Sequence, residues 1–156
     1  MPSRRLLEDR HHDIFQLPNG NYMGFVPDTI DHYVPNSDDY SQFSSDFNFT
    51  FENNIPGFGD FPYPWKWKGE KIVEWDSEGN EIWSWNAFDY YDLSEYNPYY
   101  VEIYNGWNPM DWTHSNSVSF DENSESVIVS IRNLSRITKI DYSSKELIWN
   151  MGESDY

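Results

Sequence analysis

Two distant segments, KIVEWDSEGNEIW (Lys71–Trp83) and RITKIDYSSKELIW (Arg136–Trp149), follow one plan: a short apolar-rich run, an aspartate, a polar turn and a second run ending in tryptophan. Runs of this length, rich in β-branched and aromatic residues and bounded by turn formers, fit strands. The turn falls at the same place in both copies, so each copy reads as a hairpin. No stretch of the chain holds a 3.6-residue apolar period for three turns, so helix is a poor alternative. The repeat confines the chain to an all-β architecture.

The second copy has two more strand signals before it, Ser117 to Phe120 and Val127 to Ile131. They precede Arg136 to Asp141 and Glu146 to Met151, with turn-prone Asp121-Glu122-Asn123-Ser124 and Ser143-Ser144-Lys145 between strands. Four short antiparallel strands in a meander match one propeller blade, a twisted sheet of about 40 to 50 residues. The first half repeats the pattern: Asp13 to Leu17 and Tyr22 to Val26 flank Pro18-Asn19-Gly20-Asn21, and Lys71 to Asp76 and Asn80 to Trp85 flank Ser77-Glu78-Gly79. Asn-Gly between apolar runs is a strong hairpin signal.

The chain is therefore expected to be one partial β-propeller domain, residues 1–156, made of two four-stranded antiparallel blades. Blade one covers about 12–85, with a long insertion at 27–68; residues 86–113 form an aromatic-rich inter-blade segment, and blade two covers about 114–152. Two blades do not close a ring, because propellers hide their sheet edges by repeating at least about four blades. The expectation is a piece of a larger ring, completed by missing blades or by self-association.

Charge narrows the possible partners. A formal charge of -17 and a pI near 4.3 exclude nucleic acid and anionic membrane surfaces, which need clustered cations. Aromatics are 19% of residues, with 8 Trp and 12 Tyr, which implies packed layers or stacking surfaces rather than an acidic disordered tail. With no cysteine, the chain has neither disulfides nor thiolate metal sites, and its four histidines show no i, i+4 pairing, so no metal is expected. No apolar run approaches the roughly 20 residues of a membrane helix, and MPSRRLLEDRHHD lacks a signal-peptide core. The sequons at Asn48 and Asn133 would matter only on a secretory route.

The tract from Asp111 to Asp141 carries the chemistry. His114 and Asn116 stand at the mouth of a strand, and Arg132, the first cation after Lys71, returns one hairpin later. A planar guanidinium near an imidazole and an amide suits a tetrahedral oxyanion, sulfuryl or phosphoryl, which it grips through parallel hydrogen bonds. The bland alternative is a surface arginine paired to one of many carboxylates. His12 heads the first strand of blade one as His114 heads that of blade two, and first strands line a propeller's channel. The two can converge on one axial pocket, or His11 and His12 can be ordinary turn histidines. Tyr99, Tyr100, Trp107 and Trp112 can stack phenolic rings or simply pack between blades.

HHDIFQLPNGNYM, EIWSWNAFDYYD, DWTHSNSV, VSIRNLSRITKID and KELIWNMG, in this order, resemble the arylsulfotransferase family. The resemblance spans most of the chain outside 27–68. It implies a six-bladed propeller that transfers sulfate from a phenolic ester to a phenol without a nucleotide sulfate donor or other cofactor. It places the family's sulfate-binding His-x-Asn pair on His114 and Asn116, its arginine on Arg132, and its upstream channel histidine on His12, with His11 as the adjacent choice. The implied mechanism is ping-pong through a sulfohistidine. The family's nucleophilic histidine belongs to a later His-Asp motif, and none follows Gly152, so the tract is expected to be a clamp without its covalent step. The reading from another class is a non-catalytic propeller fragment that binds aromatic or carbohydrate ligands or pairs with other blades.

Overall fold

The computed structural model describes residues 11–32, 65–96 and 110–152. In chain order the strands are β1 (His11–Gln16), β2 (Tyr22–His32), β3 (Trp65–Trp75), β4 (Glu81–Asn86), β5 (Met110–Asp111), β6 (Ser115–Asp121), β7 (Ser126–Ile131), β8 (Arg136–Asp141) and β9 (Leu147–Gly152). Strands β1 to β4 form one antiparallel sheet in sequential order, and β6 to β9 form a second. β5 pairs parallel to β3 at Trp67 and Lys68, beyond the stretch of β3 that β4 covers. Two 3₁₀ turns, Ala87–Asp89 and Leu93–Glu95, are the only helical elements among the described residues. The protein is nearly all β, with two four-stranded antiparallel sheets consistent with propeller blades.

β2 and β3 run further than the sequence pattern indicated. The alternation ended strand two at Val26 and began strand three at Lys71; pairing in fact continues from Pro27 opposite Glu70 to His32 opposite Trp65. Pro27 falls just after the expected end of strand two. β1 pairs β2 only as far as Phe25, so Pro27 lies on an edge stretch where a missing N–H is tolerated. The aromatic-rich segment after β4 is likewise not uniform: the Asn86 side chain caps the first 3₁₀ turn, and a capping box of Asp92 and Glu95 closes the second.

The hairpin turns reuse one device. Asp76, Asp121 and Asp141 each follow or end a strand and accept backbone N–H bonds from two or more residues on: Glu78 at 2.9 Å, Asn123 at 3.1 Å and Ser144 at 2.7 Å. An aspartate that ties its own turn sets where the strand stops. These bonds hold all three carboxyls below the ordinary aspartate value: Asp76 chiefly through Asn80, Asp141 through Ser144, and Asp121, at about 2, through Ser124 and then Lys139.

One apolar core joins the sheets. Met23, Phe25, Trp67, Ile72 and Trp85 from the first sheet cluster with Val118, Val127, Val129, Ile131 and Ile140 from the second. Each such side chain contributes about 1.5 to 3 kcal/mol by leaving water. One carboxylate of β3 is fully buried with it. Glu74 is fully buried and accepts from Asn19 at 3.0 Å, from Asn21 at 2.7 Å and from the Tyr142 hydroxyl at 2.5 Å. Trp83 stacks on Tyr142 with centroids 5.2 Å apart and donates its indole N–H to the Tyr142 carbonyl at 2.7 Å. The Asn-Gly turn, β3 and the second sheet thus meet at one charge, which three donors keep satisfied.

Candidate functional site

The approach to β6 is bent and fastened. His114 has φ 46, in the left-handed region where a non-glycine residue is uncommon, so surrounding bonds must hold it. Its carbonyl accepts the Arg132 backbone N–H at 3.3 Å, and the Thr113 carbonyl accepts that of Asn133 at 3.0 Å. The Asn133 side-chain amide donates to the Asp111 carbonyl at 2.6 Å. Residues 111–114 and the β7–β8 turn are therefore bolted together. Asn133 is buried and its amide is engaged, so this sequon is not a glycan acceptor in the folded state.

On this frame the His114 and Arg132 backbones are joined by one hydrogen bond, and Asn116 lies two residues after His114 in β6. The Nδ1 atom of His114 bonds the Oδ2 atom of Asp111, while the Lys68 ammonium lies 3.8 Å from the other oxygen. Ser115 turns inward, its N–H donating to buried Glu70 at 3.0 Å, and Thr113 donates its hydroxyl to the same oxygen. Asn116 falls where the β6–β7 register slips between Ser115 and Ser117, and it is exposed. A bulge of this kind re-aims a side chain at a sheet's rim. Arg132 is exposed on the adjoining turn.

β1 has the same irregularity, between His11 and Ile14, and lies beside β6. The Asp13 carboxylate accepts the Val118 N–H at 3.3 Å, which joins the first strands of the two sheets. Gly24 permits the bulge, since a Cβ there would come 2.9 Å from the Asp13 carbonyl. The His11 and His12 backbones belong to β1, and their side chains lie outside the described residues, as do Tyr99, Tyr100 and Trp107.

Of the two roles left open for Trp112, the structure shows packing. It is fully buried, stacked on Phe88 at 4.9 Å and edge-on to Trp67 at 6.4 Å, so its ring fills the core instead of offering a face to a phenol. β5 causes this: the Trp112 N–H donates to the Lys68 carbonyl at 2.9 Å and draws the indole inward. The spacing of the sequence also gave no role to Asp111, Asp13 or Glu70. For Glu70 and Glu74 a signal existed, a carboxylate in an otherwise apolar central strand, but its partners come from distant segments. Among the described residues no group of three or more His, Cys, Asp or Glu could hold a metal, and no helix is long and apolar enough to cross a membrane.

A comparison with curated proteins finds no match. The family model described as Arylsulfotransferase (ASST) matches residues 64–156, which contain β3 to β9 together with His114, Asn116 and Arg132. That match covers more than half of the chain, and the chain belongs to the arylsulfotransferase family.

Proposed function

We propose that His114, Asn116 and Arg132 grip the non-bridging oxygens of a phenolic sulfate ester, and that the chain takes part in transferring its sulfuryl group to a phenol. The observation that supports this best is the Asp111–His114 bond beside the Arg132 turn. A carboxylate on Nδ1 orients the imidazole and leaves the substrate-facing role to Nε2. Asn116 adds an amide donor, and Arg132 adds a planar cation matched to two oxygens of a tetrahedral group.

In this reading a histidine nitrogen attacks sulfur, forming an N–S bond as the S–O bond to the leaving phenolate breaks; the phenolate takes a proton. An acceptor phenol then attacks the same sulfur, the N–S bond breaks, and the phenol proton is released. The grip stabilises the oxygens through both steps, and each charge-assisted donor is worth about 3 to 4 kcal/mol in the transition state. The sulfohistidine is not assigned to His114. His12, or His11, is a further donor from β1, Tyr100 is a contact for the phenolic ring, and additional blades or a second copy complete the ring.

The test is release of 4-nitrophenol from 4-nitrophenyl sulfate with phenol as acceptor. Release above buffer is expected once the ring is completed by the blades that carry the nucleophilic histidine, and in that full-length or complemented form Arg132→Ala should lower turnover about a hundredfold or more. Turnover in Arg132→Ala equal to that of the parent would remove Arg132 from the site. No release under any acceptor would turn the reading to a binding module.

A further inference from the structure

A cleft of about 560 Å³ opens where β2, β4, the first 3₁₀ turn and the β8–β9 turn meet, within the size range of small-molecule sites, about 300 to 1,000 Å³. None of His114, Asn116 and Arg132 lines it. One wall is aromatic: Tyr90 lies flat on Trp85, centroids 4.9 Å apart and planes 21° from parallel. Trp85 is itself only 2% exposed, and its indole N–H is a buried donor with no hydrogen-bond partner. The other wall is polar. Asp28 accepts from the Asn86 amide at 2.6 Å and from the Thr29 N–H at 2.8 Å, and Asp89 and Ser84 stand alongside.

Two lysines line the cleft, one of them paired with a carboxylate. The Lys71 ammonium contacts both oxygens of Glu81, at 2.7 and 2.9 Å, and the Lys145 nitrogen lies 5.8 Å from the centroid of the Trp83 ring. An anion entering here would meet the two carboxylates of Asp28 and Asp89 against the single ammonium of Lys145, so neither sulfate nor phosphate is favoured. A quaternary cation would meet the Lys145 ammonium. A neutral polyhydroxyl ring meets neither obstacle: its C–H face covers an aromatic ring, and its hydroxyls donate to carboxylates and accept from amides. The Tyr90 phenol is held above its ordinary value by burial, then by Glu146 and Asp89, so it remains a proton-bearing donor.

We infer that this cleft binds a neutral saccharide, stacked on Tyr90 with its hydroxyls donating to Asp28 and Asp89. The site stands independently of the sulfuryl-transfer reading, and its test involves no turnover.

The full chain is titrated with cellobiose, maltose and N,N′-diacetylchitobiose while tryptophan fluorescence is followed, because Trp85 lies directly beneath Tyr90. Saturable change with at least one disaccharide is expected, with affinity reduced about tenfold or more in Tyr90→Ala and in Asp28→Asn. Tyr90→Phe keeps the stacked face and should bind within about threefold of the parent, which separates lost stacking from lost folding. The absence of saturation with all three sugars up to about 10 mM overturns the assignment. So does displacement of a bound sugar by an equal concentration of inorganic sulfate, which would make the cleft an anion site.

Discussion

The imidazole of His114 is bonded through Nδ1 to the carboxylate of Asp111, three residues earlier and on the other side of a left-handed bend. The bond connects β5, which is paired to the first sheet, with the residue that opens the second. If Asp111 positions His114 for the oxyanion grip, Asp111→Asn should lower 4-nitrophenyl sulfate turnover roughly ten- to hundredfold. The ¹⁵N shifts of the His114 ring should move with it, reporting an altered tautomer. Unchanged shifts alongside reduced turnover would show that Asp111 acts other than through His114.

Tyr142 and Glu74 form a second coupled pair. Burial first, then the hydrogen bond and charge of Glu74, raise the Tyr142 phenol above its ordinary value of 10.0. A group whose folded value is raised adds stability that is fully present below its unfolded value and lost as pH rises through the folded one. Stability should therefore decline above about pH 10, and Tyr142→Phe should flatten part of that decline. Tyr90 and Tyr91, raised mainly by burial, account for a remaining slope. At neutral pH Tyr142→Phe should cost about 1 to 3 kcal/mol in denaturant unfolding, because Glu74 keeps only its two asparagine donors.

Asp121 contributes on the acid side, as do Asp76 and Asp141. Ser124 first, and Lys139 second, lower its carboxyl from 3.8 to about 2. The sign is opposite: the contribution is present above the unfolded value and disappears as pH falls from 3.8 toward about 2. Asp121→Asn should make the stability curve shallower in that window, as read from thermal unfolding at a series of pH values. A curve parallel to the parent's would mean that the turn persists without the charge.

Arg136 ties the segment after β4 to the second sheet. It is buried, pairs with Glu95 at 2.8 Å, and lies over the Tyr91 ring at 4.9 Å. Removing the cation with Arg136→Ala should cost on the order of 2 to 4 kcal/mol, since Glu95 loses its partner and Tyr91 its cation. Glu95→Gln should cost less, about 1 kcal/mol, because that carboxylate reaches solvent. Chemical denaturation of both variants gives the comparison, and equal costs would place the energy in the ion pair instead of the ring contact.

Much of the architecture was legible in the residues alone. Alternation and turn chemistry are local, so the β8 boundaries, the Asn-Gly hairpin and the meander order in the second sheet could all be read directly. Asp76, Asp121 and Asp141 lie at strand ends because an aspartate can tie its own turn without help from distant residues. The outer arms of β2 and β3 fall inside the stretch read as an insertion, because proline is disfavoured in a paired strand and residues 27–32 and 65–70 pair with each other across a long sequence gap. Only knowing that Pro27 lies beyond the last β1 partner shows that its missing N–H does no harm.

The candidate site divides along the same line. His114 and Arg132 flank the β6–β7 hairpin that contains Asn116, and the backbone bond between them is a consequence of sequence distance and strand pairing. What sequence order alone determined is therefore the all-β class, the repeated hairpins and the backbone frame on which His114 and Arg132 stand. Tertiary structure decided the rest. Trp112 became core, the Asn19–Asn21 turn came to cap Glu74, Asp111 was set against His114, and a saccharide-sized cleft opened between Tyr90 and Asp28. These outcomes depend on which buried polar groups find partners and which rings fill the space between two sheets, and such contacts join residues that are close only after the sheets have packed.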